Sequence, residues 1–496
     1  MCRRHQESRQ MTCLRPLKDC SSKQKWQGFF VVLLLLGNGP VAMANTQNFV
    51  EAYDRFLGQT PNSSTVQVFE LTAKPTELKI GNGKATTVWA YNGQIPGPTL
   101  RAKQGQSFKV SFKNELPEPT TIHWHGVRVP NGMDGVPGVT QKPVAPGETF
   151  VYEFQALDSG TYWFHPHVRS HEQVERGLYG VLIVESPEDP VYDREWVWVL
   201  DDWLLDDQGA IDDSFSKKDL DTGGRLGSLL TINGKDRPEY SASAGERVRI
   251  RIINSSNARN YQLDFKGARA KIFAVDGNLT GQTLVVEDFD IAPGNRIDVD
   301  LTIPDDVAGD STIEVANRFF HREARGGVLE GPQILAGIKI SGRVDGKNDF
   351  QIPTHGRVPG WDDAHETEVD FTYEFNTEIN LGLLWNGGPA AYFVINGKQY
   401  GEHEITPLKH RQFYHLRFTN GTGLYHPIHI HGMFFKVLSR NGTKVNEPYF
   451  RDTVLLDYDG SVEIGVVPVD EGKWMLHCHL LEHSALGMMT LVEVKK

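Results

Sequence analysis

Three stretches of this chain carry one pattern. Residues 102–116 (AKQGQSFKVSFKNEL), 242–256 (ASAGERVRIRIINSS) and 409–421 (KHRQFYHLRFTNG) each hold a turn, an apolar–polar alternation and then an asparagine. Alternation with period two marks a half-buried strand. Each stretch follows an Asn-Gly turn: Asn92-Gly93, Asn233-Gly234 and Asn396-Gly397. Residues 144–150 (VAPGETF) and 291–297 (IAPGNRI) form a further matching pair. A spacing of roughly 140 to 165 residues means three copies of one domain rather than a solenoid of short units. With 49 Gly, 26 Pro and frequent β-branched runs, the chain is expected to be all-β, built of three Greek-key β-sandwiches. The domains are expected at 45–187, 188–345 and 346–496, with seams at Pro187, Asp189 and Pro190 and near 342–353.

Residues 1–44 are set apart. Lys23 and Lys25 precede the apolar run 29–36, and Ala42-Met43-Ala44 fits a cleavage site, so a signal peptide ending after Ala44 is expected. The run is too short to span a bilayer. Arg3-Arg4 is similar to a twin-arginine signal but lies far from the run and lacks the rest of that motif, which leaves the export route open, and the length of the leader makes Met11 an alternative start. Removing the leader's seven basic and two acidic residues leaves 44 and 61, a formal charge of −17. An acidic surface does not suit nucleic acid or anionic membrane. Three of the four cysteines fall in the leader, so Cys478 is left alone, between two histidines, as a ligand or nucleophile candidate.

Histidines are concentrated in the outer domains; the middle one has only His321. The clusters are His123-Trp-His125-Gly, His165-Pro-His167, His426-Pro-Ile-His429-Ile-His431-Gly, and His477-Cys478-His479 followed by His483 and Met488. On a strand, residues two apart share a face. Four H-x-H pairs therefore supply eight imidazoles, while Cys478 and His426 point the other way. Two imidazoles, a thiolate and a weak thioether describe a blue-copper site at His426, Cys478, His483 and Met488, with Met489 read as core. Eight imidazoles without a carboxylate suit further copper ions; zinc would need one tetrahedron and leaves the pairs unexplained.

Taken together, these four motifs resemble those of the multicopper oxidases, and most closely those of bacterial three-domain laccase-like members. The likeness covers essentially the whole chain after the leader. It implies three cupredoxin-like domains and four copper ions. His426, Cys478, His483 and Met488 match the type 1 ligands, and His123 and His429 the type 2 ligands. His125, His165, His167, His431, His477 and His479 match the type 3 pair. The implied reaction is four-electron reduction of O2 to water, with electrons entering at an exposed edge of His483 or His426 and crossing from Cys478 to His477 and His479. Asp134 matches the acidic residue that the family places near the cluster to relay protons. Ser484 departs from relatives that have Glu there. Asp452 is a candidate to orient a ligand histidine, and His171 lies off the ligand pattern.

The expected reductant is a phenol or aromatic amine. The alternative is cuprous ion, which would make the chain a periplasmic cuprous oxidase. Such oxidases often carry a methionine-rich insert, whereas this chain has eight methionines and no cluster beyond Met488-Met489. A copper-free cupredoxin scaffold is the alternative of another class, and complete ligand sets argue against it. The leader and the bacterial likeness imply a periplasmic or secreted protein.

Overall fold

The structure is a computed structural model that describes residues 39–81, 83–215, 219, 223–306, 311–318, 320–321, 329–344, 361–385 and 388–496. The leader's basic residues and apolar run, and most of the expected second seam, lie outside the described residues. The rest builds three two-sheet β-sandwiches in chain order.

The repeated stretches become the same strand three times: Ser107–Asn114, Arg247–Asn254 and Tyr414–Asn420. Each runs parallel to the first strand of its sandwich, Val66–Lys79, Arg194–Trp203 and Phe371–Trp385 respectively. The repeated turns are also alike. Asn92, Asn233 and Asn396 have φ of 54°, 54° and 51°, and the glycines after them 74°, 72° and 69°. Two successive positive φ angles are what Asn-Gly tolerates best. Each of these asparagines accepts a backbone N–H (Thr72, Val199, Glu374) and donates to a carbonyl two residues earlier (Glu70, Val197, Thr372). The asparagines that end the repeats, Asn114, Asn254 and Asn420, each donate to two loop carbonyls and accept the N–H two residues on. One side chain thus satisfies three backbone groups where the strand stops.

The second sheets place the histidines. In the first sandwich His123–His125 sits at the edge of its sheet beside Gly160–His165; in the third, His426–Ile430 lies beside Gly472–Cys478. The middle sandwich has Leu263–Phe265 beside Thr312–Asn317 in the corresponding places, with no histidine. Each sandwich has its own apolar core.

The helix Gly39–Leu57 contains the expected cleavage point after Ala44. Its Phe49 and Tyr53 pack against Trp361, Phe413 and Phe450 of the third sandwich, not against the first, which the chain enters next. Trp361 Nε1 donates to the Phe49 carbonyl at 3.1 Å. No described helix is long and apolar enough to cross a membrane. Phe49→Ala removes a 2%-exposed ring from this seam and is expected to cost about 3 kcal/mol, read as a lower unfolding temperature for the third sandwich.

Candidate metal centre

The two histidine-bearing strand pairs are internal copies of each other. In the first sandwich His123 pairs with His165; in the third, His429 pairs with His477. Facing residues of an antiparallel pair project to the same side, so both pairs present their imidazoles outward from their sandwiches. The two faces meet about an approximate twofold axis. His125 stacks on His429 and His123 on His431, each with ring centroids 3.8 Å apart.

This exchange sorts the eight rings. His125, His165 and His479 converge as one trio, with ligand atoms within 4.8 Å of one another. His167, His431 and His477 form the second, which is the first with the two domains exchanged. His123 and His429, which correspond to each other, lie between them. All eight are buried except His167, which is only partly covered.

Backbone oxygens fix the rings. His165 Nδ1 donates to the Pro166 carbonyl at 3.0 Å, and His477 Nδ1 to the Cys478 carbonyl at 2.9 Å. His123 Nδ1 donates to the Asp134 carbonyl at 2.8 Å, and His429 Nδ1 to that of Asp452 at 2.9 Å. The same two aspartates reach across with their carboxylates. Asp134 Oδ2 accepts from His431 Nδ1 at 2.9 Å, and Asp452 Oδ1 from His125 Nε2 at 3.2 Å. Each ring so held must turn its other nitrogen, a bare lone pair, inward. Those atoms (His123 Nε2, His125 Nδ1, His165 Nε2, His429 Nε2) and His167 Nε2 are buried without a hydrogen-bond partner. His431 Nε2 and His477 Nε2 face each other at 3.2 Å with both δ nitrogens committed elsewhere. Buried lone pairs gathered without donors are costly unless a cation takes them. The donor set therefore fits metal ions that favour imidazole, copper among them. Burial also pushes the pKa values of His125, His165, His167, His429, His431, His477 and His479 down, His477 to about 3, and neighbouring imidazoles push the same way, so these nitrogens stay unprotonated.

Cys478 lies on the other side of its strand, opposite Ile428 and inside the third core. Its Sγ is 3.4 Å from His426 Nδ1 and 3.8 Å from His483 Nδ1, and those two nitrogens are 3.1 Å apart. His483 is brought back by the short helix Leu481–Ala485. The turn after it returns Met488, whose N–H donates to the His483 carbonyl and whose carbonyl accepts from the Cys478 N–H. Met488 is fully buried in the same core, whereas Met489 is partly exposed. Burial pushes the Cys478 thiol well up.

One expectation fails. Neither His426 nor His483 offers an exposed edge: both are 0% exposed, and Phe393 stacks on His483 at 3.8 Å. The segment after Phe393 is laced to the turn after His483, with Tyr400 N–H donating to the Gly487 carbonyl at 3.1 Å. Strand parity carries no information about what covers a face, so the sequence could not show it. Two further residues at the sites carry no distinguishing pattern in the sequence. Glu482, in the string before His483, is buried; burial pushes its carboxyl up to about 7 against a hydrogen bond from Asn257. Arg296, noticed only as part of a repeat, reaches Asp452 from the middle domain. His171 stays off both sites, near Phe215 and Glu172.

Comparison with known proteins agrees with this geometry. Multicopper oxidase family models match residues 72–189, 194–325 and 374–496. The chain is 29% identical over 483 residues to the multicopper oxidase MmcO of Mycobacterium tuberculosis, covering 89% of this chain and 90% of that one. A multi-copper oxidase structure from Pseudomonas thermotolerans superposes with a TM-score of 0.74 at 33% identity, covering 87% of this chain and all of that one. The Campylobacter jejuni multicopper oxidase, described as a metallo-oxidase, gives 0.72 at 26% identity over 88% of this chain and 94% of its own. The chain belongs to the multicopper oxidase family and is a copper-dependent oxidoreductase of laccase-like type.

The depressed ring pKa values set a pH dependence. An ordinary imidazole, with pKa about 6.5, loses metal affinity about tenfold per pH unit below it. Here the folded-state values are pushed down, so no proton competes until far lower pH. In Cys478→Ser, which should lack a blue band, copper affinity at the histidine cluster is expected to change less than about threefold between pH 7 and pH 5. Competition titration with a chelator reads it; an ordinary tenfold-per-unit loss would contradict the burial argument.

Proposed function

We propose that this chain takes electrons singly from phenols or aromatic amines at the His426–Cys478–His483–Met488 site and reduces O2 to water at the histidine cluster. The observation that carries this is the run His477-Cys478-His479 at the end of the strand Gly472–Cys478. Its sulfur belongs to one site, and the imidazoles on either side belong to the two trios of the other. Four copper ions fit the donor sets: type 1 at the cysteine site, type 2 between His123 and His429, and a type 3 pair at the trios. Copper bound there would supply the one-electron chemistry, holding the four electrons taken from the reductant that O2 needs.

The protein's own residues hold the rings and handle protons. Asp134 is buried beside His431, and its Oδ1 has no hydrogen-bond partner, which suits it to pass a proton toward the cluster. Ser484 supplies no carboxyl, and the buried carboxyl nearest in sequence is Glu482. The leader supports export to the periplasm or beyond.

The buried His483 bears on the reductant. Phe393, itself 0% exposed, stands between His483 and a donor as large as a phenol. Met433, Met475 and Met488 are buried, so none of them offers a surface thioether to cuprous ion. The second reading, cuprous oxidation, is favoured by the same burial, since a small ion needs less room, and by the likeness to a structure described as a metallo-oxidase. Oxygen consumption by copper-loaded protein, with 2,6-dimethoxyphenol and cuprous ion as separate reductants, decides between them. Phe393→Ala is expected to raise kcat/KM on the phenol about fivefold while leaving the cuprous rate unchanged; turnover on cuprous ion alone in both proteins would favour the second reading. Met488→Leu is expected to raise the reduction potential of the blue site, read by redox titration of its visible band.

A further inference from the structure

The approximate twofold that relates the outer domains also relates Asp134 and Asp452. Each gives its carbonyl to a histidine of its own domain and its carboxylate to one of the opposite domain. The middle domain breaks this symmetry. Its turn 292–295 lies against the ligands: a Cβ on Gly294 would sit 3.0 Å from His479 Cδ2 and 3.1 Å from His125 Cε1. The next residue, Arg296, is 0% exposed. It forks onto Asp452, Nη1 to Oδ1 at 2.8 Å and Nη2 to Oδ2 at 2.6 Å, and its Nε donates to the Thr161 carbonyl of the first domain at 3.2 Å. Asp276 of the middle domain accepts from Thr453 N–H at 3.2 Å and from Asn295, whose amide also donates to the Thr453 carbonyl at 3.1 Å. Gly126, in the His-Trp-His-Gly motif, leaves the room: at φ +80°, its Cβ would lie 2.2 Å from Arg296 Nη2 and 2.5 Å from Asp452 Oδ2.

We propose that Arg296, carried by the domain that supplies no ligand, is a positioning residue for the histidine cluster. Its fork fixes both carboxylate oxygens of Asp452, and Asp452 in turn orients His125 and His429 from opposite domains. A planar bidentate donor fixes orientation as well as charge, which a lysine ammonium cannot reproduce. Groups that orient ligands in this way are commonly worth tenfold or more in metal affinity. Asp134 has no such fork among the described residues: its Oδ2 accepts from His431, and its Oδ1 lies 3.3 Å from His123 Nδ1 without a hydrogen bond. The two aspartates, alike in placement, thus differ in freedom, and the middle domain makes the difference.

This rests on the assignment of the cluster to copper. The test compares purified, copper-loaded wild type with Arg296→Lys and Arg296→Met. Total copper, the visible blue band and the type 2 copper EPR spectrum are read on each. If wild type binds no copper, the function proposed above fails rather than this inference. With wild type loaded, both variants are expected to keep the blue band while cluster copper falls severalfold, with an altered type 2 hyperfine splitting and Lys closer to wild type than Met. Two results would overturn the proposal. One is four coppers with an unchanged type 2 spectrum in both variants. The other is loss of blue and cluster copper in equal proportion, which would make Arg296 a general support of the fold.

Discussion

Everything at this site depends on a repulsion. Eight imidazoles are gathered in a space from which water is largely excluded, and most of their inward nitrogens have no hydrogen to share. Such an array is unfavourable by itself. It persists because six of the rings are tied at one nitrogen to a group that cannot move independently: the carbonyls of Asp134, Pro166, Asp452 and Cys478, and the carboxylates of Asp134 and Asp452. The fold spends its rigidity in holding lone pairs together, and the cation that relieves them is thereby selected by geometry as well as by affinity.

The approximate symmetry explains why so few devices suffice. One strand pair used twice yields two trios and a central pair without any separate design for each. The middle domain shows what the same scaffold does without ligands: Leu263–Phe265 and Thr312–Asn317 stand where the histidine strands stand elsewhere, and the loop between its other strands becomes a wedge at the junction. A domain that looks dispensable from its composition is therefore placed where it can govern the other two.

Much of this was legible in the sequence, because it depends on local rules. The Asn-Gly turns require positive φ at both positions, and they mark the same hairpin three times. Strand parity separates Cys478 and His426 from the eight paired histidines before any fold is known. What was illegible is what depends on contacts between distant segments. Parity could not reveal that Phe393 covers His483, nor that Arg296 reaches Asp452, since neither partner leaves a periodic trace near the other. The helix ending at Leu57 precedes the first sandwich yet packs on the third; adjacency in sequence is a poor guide where the chain returns on itself.

The split of the ligands between the outer domains has a consequence for how the protein is made. His123 and His477 are separated by more than 350 positions. The first domain has its own core, but it supplies two rings of one trio, one ring of the other and none of the cysteine site. Neither centre can close until synthesis has passed Met488 and the third domain has docked. A chain that stopped short of His477 would therefore lack the cysteine and one ring of each trio, however complete its first two domains.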